Sequence, residues 1–178
     1  MRWVGKLLEL LPDGSDVLEL GCGGGSPATL RLAERHGVLG VDISPQQIER
    51  ARGRVPDATF RCVDATELEL PPASFDAVVS LHMLGHVPRA EQAPLLASMA
   101  TWLRDGGYLL VTMGTANADD EVDYDWLGAP MFFASYDEGA NMRMLAGAGF
   151  ALIEADVIPI EEPGHGLVSF MWVLARKS

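Results

Sequence analysis

The strongest pattern in the chain is an apolar run that breaks abruptly into glycine. Val17, Leu18 and Leu20 suit a strand buried on both faces, and Gly21-Cys22-Gly23-Gly24-Gly25 follows at once. Glycines at 21, 23 and 25 let the backbone turn sharply and approach a ligand closely, because no Cβ intervenes. Ser26 suits an N-cap and Pro27 the first helical position. The spacing predicts a helix over 27–36 with Gly37 as its C-cap. Its free N–H groups would open beside the glycines, a seat for a negatively charged ligand group.

Elsewhere the apolar positions switch between a helical and a strand period. Trp3, Val4, Leu7, Leu8 and Leu11 recur at helical spacing, ended by Pro12-Asp13-Gly14-Ser15. Residues 38–42 read as a second strand ending in Asp42, and Ser44-Pro45-Gln46-Gln47 opens a helix as a capping box. Residues 59–63 form a third strand before Asp64-Ala65, and 75–80 a fourth. A helix over 93–102 and the turn Asp105-Gly106-Gly107 lead into a fifth strand over 108–112. Residues 114–135 read as irregular. They hold the acids Asp119, Asp120, Glu121, Asp123 and Asp125 and the aromatics Trp126, Phe132 and Phe133. Ser135-Tyr136-Asp137-Glu138 is a second capping box. Strands over 150–158 and 167–175 close the chain, joined as a hairpin through Pro163-Gly164-His165-Gly166.

Strands alternating with helices predict an α/β fold: a parallel sheet with helices on both faces, built as one domain over 1–178. Ligands in such sheets bind beyond the carboxyl ends of the strands. Gly21, Asp42, Asp64 and Ser80 all fall there.

Composition narrows the function. With 178 residues, 48% of them apolar, the chain can bury a sizeable core, and no run approaches the ~20 residues of a membrane span. The first residues lack the apolar stretch of a secretory signal, so a cytoplasmic protein without a membrane partner is expected. A net charge of −12 repels phosphate backbones and argues against a nucleic-acid partner, yet it tolerates a cationic ligand. Two cysteines without a C-x-x-C pair give no disulfide framework. His36, His82, His86 and His165 make no metal pattern, so no metal is expected.

The glycine spacing sets the ligand class. A dinucleotide site wants G-x-G-x-x-G, and the third glycine would fall on Ser26. The chain also lacks a Tyr-x-x-x-Lys pair, which argues against a nicotinamide oxidoreductase. Instead, Glu19-Leu20-Gly21-Cys22-Gly23-Gly24-Gly25 resembles the first motif of class I S-adenosylmethionine-dependent methyltransferases. Gly40-Val41-Asp42-Ile43-Ser44 resembles their acidic ribose motif, and Cys62-Val63-Asp64-Ala65 their adenine motif. Phe75-Asp76-Ala77-Val78-Val79-Ser80 is similar to the fourth motif, and Leu103-Arg104-Asp105-Gly106-Gly107-Tyr108 to the turn before strand five. Within that family the chain resembles the small bacterial methyltransferases grouped with those of ubiquinone and menaquinone synthesis.

The resemblance implies a Rossmann-like seven-stranded sheet, mostly parallel, with its last strand antiparallel. It implies methyl transfer from S-adenosylmethionine to a small-molecule acceptor, giving S-adenosylhomocysteine. The cofactor would meet Glu19, Gly21, Cys22, Gly23, Gly25, Asp42, Ile43, Gln47, Asp64, Ala65, Ser80 and Leu81. Asp42 would accept from the ribose hydroxyls, Ile43 would pack beside adenine, and main-chain oxygens at Ser80-Leu81 would hold the ammonium. Trp126, Met131, Phe133 and Tyr136 would line the acceptor pocket. His86, in the loop after strand four, is the candidate catalytic residue, and a base is needed only where the acceptor must lose a proton. A second reading is a catalytically silent S-adenosylmethionine-binding module acting through a partner. One short helix precedes the first motif, so the expectation is that the pocket is open, that another subunit closes it, or that the chain is a shortened form. The oligomeric state is left open, a homodimer included.

Overall fold

The computed structural model describes residues 1–126, 128–162 and 166–178. In chain order the elements are α1 (Arg2–Leu10), β1 (Asp16–Leu20), α2 (Pro27–Ala33), β2 (Gly37–Asp42), α3 (Pro45–Arg54), β3 (Thr59–Cys62), β4 (Phe75–Ser80), α4 (Arg89–Trp102), β5 (Leu103–Met113), β6 (Ala118–Trp126), β7 (Ala129–Ser135), α5 (Glu138–Gly147), β8 (Phe150–Glu162) and β9 (Gly166–Lys177). Short 3-10 turns at Ala65–Glu67 and Leu84–His86 follow β3 and β4.

Seven strands form one sheet in the order β3-β2-β1-β4-β5-β9-β8. All pairs from β3 to β5 are parallel, and β9 runs against both its neighbours. The chain leaves β1 toward β2 and β3 and then returns to β4 on the other side. That reversal opens a crevice at the carboxyl ends of β1 and β4.

The two faces are read directly from residue alternation. Leu18, Leu20, Val78, Leu109 and Val111 point to the side of α4 and α5. Val17, Ala77, Val79, Leu110 and Leu174 point to the side of α1 and α2, where Trp3, Leu7 and Leu32 meet them. Ile48 and Ala51 of α3 and Val55, its C-cap, cover Phe60 and the Cys22 side chain.

Several boundaries differ from the sequence reading. Helix α2 stops at Ala33, with Glu34 as its C-cap, and Gly37 opens β2 by donating its N–H to Ser15 O at 3.0 Å. Strand pairing takes the residues that helical spacing claimed. Ser44 caps α3 through Gln47 N, although its capping box is not closed. Helix α4 starts at Arg89 and carries Pro94 inside. Buried Gln92 fixes that start, donating to Val87 O and Ala134 O. For α5 the cap is Asp137, accepting from Ala140 N at 2.7 Å, while Ser135 donates to Ala116 O instead.

The largest difference lies within 114–135, where 118–126 and 129–135 pair as the antiparallel strands β6 and β7 rather than irregular chain. Aspartate disfavours strands and gives no apolar alternation to read. Here Arg89 ties the hairpin down: its guanidinium donates to Asp119 and Asn117, and its main-chain N–H donates to Asp120. At the other end of the chain, β8 and β9 pair from Phe150↔Lys177 to Glu162↔Gly166. The expected turn residues 163–165, His165 among them, lie outside the described residues. No described helix is long and apolar enough to cross a membrane.

Candidate active site

The glycine turn sits at the switch point between β1 and β4. Gly21 has φ +72°, and a Cβ there would lie 2.5 Å from Met83 Cβ. Met83, in the loop after β4, is therefore seated on the turn. Gly23 N donates to Asp42 Oδ2 at 2.9 Å, and Ser44 N to Asp42 Oδ1 at 2.9 Å. The strand-two acid thus lies against the glycine turn, and each of its oxygens keeps further accepting capacity.

Glu19 is the most unusual group in the crevice. It is 3% exposed, on the face of α1 and α2. One oxygen faces the Ser26 hydroxyl at 3.5 Å, while Oε2 is buried without a partner. Burial pushes its carboxyl up to about 7, against the lowering effect of Thr29 and Ser26.

The remaining expected residues divide. Ile43 is 67% exposed beside Asp42, an apolar side chain left facing solvent. Gly24 lies over the Gln47 side chain, where an added Cβ would come within 3.0 Å of Gln47 Oε1. Cys22 contributes only main chain, since its side chain packs into the α3 core and its thiol is pushed up to about 12 by burial and by Glu19 and Asp42. Asp64 turns one oxygen to Thr66, accepting from both its N–H and its hydroxyl, and Ala65 begins the 3-10 turn. Ser80 is fully buried with an unpartnered hydroxyl, and Leu81 packs on the α1-side core.

His86 is tied to the β6–β7 hairpin. Its Nδ1 lies 2.8 Å from Phe132 O. A carbonyl only accepts, so Nδ1 carries the proton. The His86 ring packs on Phe133, which in turn meets Trp126 edge-on at 4.7 Å. Met131 stands opposite Asp123 on the hairpin, half-buried. Tyr136 serves as an anchor: its hydroxyl donates to Arg89 O, and the Arg89 guanidinium lies 4.1 Å over its ring.

A second aromatic cluster was not legible in the sequence. His82, with φ +54°, donates its N–H to Thr112 Oγ1 at 2.6 Å. Its ring meets Phe170 and Trp172 of β9 edge-on, at 4.7 and 5.5 Å. These residues come together only through the pairing of β5 with β9, which no local motif announces.

The strand order, with one reversed strand and a glycine turn at the switch point, is that of the Rossmann-like class I methyltransferase fold. Residues 17–107 match the family model described as "Methyltransferase domain", and the chain belongs to that family. It is 32% identical over 154 residues to the 2-methyl-6-phytyl-1,4-hydroquinone methyltransferase of Synechocystis sp., covering 84% of this chain and 47% of that protein. The chain spans half the length or less of the curated relatives it matches. Among solved structures it overlays an S-adenosylmethionine-dependent methyltransferase of Methanosarcina mazei with TM-score 0.83 at 18% identity, over 97% of this chain and 96% of that one. A second is the 1,6-didemethyltoxoflavin-N1-methyltransferase of Burkholderia thailandensis, solved with S-adenosylhomocysteine (TM-score 0.76, 19% identity, 99% and 77% covered). At these identities the overlays establish the fold.

Proposed function

We propose that the chain binds S-adenosylmethionine across the tips of β1, β2, β3 and β4 and transfers its methyl group to a small, partly apolar acceptor, leaving S-adenosylhomocysteine. Glu19 carries this reading. A carboxylate nearly sealed from water, with one oxygen lacking a partner, stands at the end of the strand that feeds the glycine turn. Leaving such an oxygen unpaired costs about 1–3 kcal/mol, and the ammonium of the donor's amino-acid end would offset it. Asp42 supports the ribose end and Ile43 offers the adenine an apolar face.

Bound S-adenosylmethionine supplies an activated methyl group on a sulfonium, so the protein's task is alignment. Asp42 and the turn hold the sugar, and Glu19 fixes the opposite end. Trp126, Phe133 and Met131 on the hairpin favour an apolar acceptor. The hydroquinone named for the Synechocystis relative is of that kind.

Thermal-shift and calorimetric titrations test the proposal. S-adenosylhomocysteine is expected to stabilise the protein, by about 2.7 kcal/mol at a hundredfold excess over Kd, and NADH to leave it unchanged. Stabilisation by NADH alone would reverse the assignment. Asp42→Ala is expected to weaken S-adenosylhomocysteine binding by about 1–3 kcal/mol, through loss of charge-assisted hydrogen bonds. Unchanged affinity in calorimetry would remove Asp42 from the site.

A further inference from the structure

The loop after β4 carries two histidines, and the structure treats them differently. His86 spends Nδ1 on the Phe132 carbonyl and serves the hairpin. His82 is held in a conformation that L-residues rarely adopt, with φ +54°. Such a backbone is strained and persists only where the surroundings enforce it. Here the enforcement comes from Thr112, 2% exposed, whose hydroxyl oxygen accepts the His82 N–H, and from Phe170 and Trp172 against the ring. Trp172 is itself stacked on Trp3 at 6.1 Å.

This strained residue stands at the proposed crevice. Its neighbour Met83, whose Cα lies about 3.8 Å from the His82 Cα, is seated on Gly21. Thr112 and Trp172 alternate with Leu110 and Leu174 onto the α1 side of the sheet. Glu19 lies on the same side, bonded to Ser26 at the start of α2.

We propose that the His82 imidazole accepts the proton of a hydroxyl acceptor as the methyl group is transferred, a reading that rests on the adenosyl site proposed above. The acceptor O–H bond breaks and its proton goes to a ring nitrogen of His82. The freed oxygen lone pair forms the bond to the methyl carbon. The carbon–sulfur bond breaks, its electron pair stays on sulfur, and the sulfonium becomes a neutral thioether. The imidazolium then returns its proton to water.

The surroundings favour the uncharged form of this ring. Burial against the aromatic rings, and then the charge of His86, lower its pKa from the ordinary 6.5. The groups packed on it from β5 and β9, Thr112, Phe170 and Trp172, carry no charge. Arg2 and Lys6 of nearby α1 are engaged by Glu154 of β8, and Arg2 also by Asp156. A neutral imidazole is the form that takes a proton. A hydroxyl needs such a base, whereas a neutral amine attacks through a lone pair it already has.

Nitrogen NMR of the histidine rings tests this without turnover. His82→Asn, a residue that tolerates left-handed backbone, assigns the signal and must still bind S-adenosylhomocysteine in calorimetry. The His82 titration midpoint is expected below the ordinary value in the free protein. It should fall by about one further pH unit with S-adenosylmethionine relative to S-adenosylhomocysteine, because only the former places a positive charge nearby. Catechol added to the S-adenosylhomocysteine complex should shift the His82 ring signal, and a silent ring would overturn the hydroxyl assignment. If both adenosyl ligands bind yet leave the midpoint the same, His82 does not face the reacting atoms. If neither ligand binds, it is the adenosyl reading that falls.

Discussion

Glu19→Gln is expected to stabilise the unliganded protein and to weaken its hold on the adenosyl ligand. The wild-type carboxyl sits at about 7 when folded, against 4.5 for an ordinary glutamate. The native state therefore keeps its proton at pH values where the unfolded chain has lost it. Stability is full below the unfolded value, falls as the pH rises between the two, and stays lower above the folded one. At about 1.36 kcal/mol per pH unit, that gap removes about 3 kcal/mol by mildly alkaline pH. Glutamine has nearly the same shape, still accepts from Ser26 and does not ionise. Urea unfolding of the variant should show a flattened slope over this pH window and a higher midpoint at about pH 8. The same change removes the charged partner of an ammonium, so S-adenosylhomocysteine affinity is expected to drop by about 1.5–3 kcal/mol. A group kept at a cost in stability and needed for the ligand is the signature of a site. Identical pH slopes in variant and parent would mean that burial does not shift Glu19, and its unpaired oxygen would then no longer point to a ligand.

Gly21→Ala is expected to destabilise the fold by about 2–5 kcal/mol in denaturant titrations. Two effects add. Left-handed backbone costs an L-residue roughly 1–2 kcal/mol, and Gly21 has φ +72°. The new methyl group would also overlap Met83 Cβ and Cγ, at 2.5 and 2.6 Å, and overpacking of this kind costs about 1–3 kcal/mol. The second effect has its own control. Because the nearest atom is the Cβ of Met83, Met83→Ala should give little relief, whereas Met83→Gly should recover the packing part and leave the backbone part. A double-mutant cycle separates them. An alanine tolerated within about 0.5 kcal/mol would show that Met83 is not seated on the turn.

Much of the fold was legible because its signals are local. Strand β1, the glycine turn and the Ser26-Pro27 start of α2 are spelled out within eleven consecutive residues, and the structure adds to the Ser26 N-cap a capping box closed by Thr29. The reversed last strand follows from the family resemblance and is the observed β9. The hairpin β6–β7 is hidden because its acids are held by Arg89 from another element, so neither its period nor its composition reads as strand. The start of helix α4 reads too late because Pro94 resembles a first-turn residue, while the true start is fixed by Gln92 reaching Ala134 across the fold. In the site, Glu19, the glycines and Asp42 were readable as motif positions. His82 was readable as a loop residue after strand four, but its meeting with Thr112 and Phe170 was not.

The sequence alone determined the order of the strands and helices apart from the β6–β7 hairpin, the seat of the glycine turn and the residue types placed at the strand tips. Those features depend on hydrogen bonds and caps a few residues apart, and short-range chemistry is written in short-range text. Tertiary structure alone decided which of those residues meet. Strand pairing brings the Asp42 carboxylate to the Gly23 N–H, 19 positions away. The packing of α2 over β1 takes Glu19 out of water, and the pairing of β9 with β5 sets Phe170 and Trp172 against the His82 ring. Desolvation and contact between distant strands are properties of the assembled sheet, and no single stretch of chain contains them.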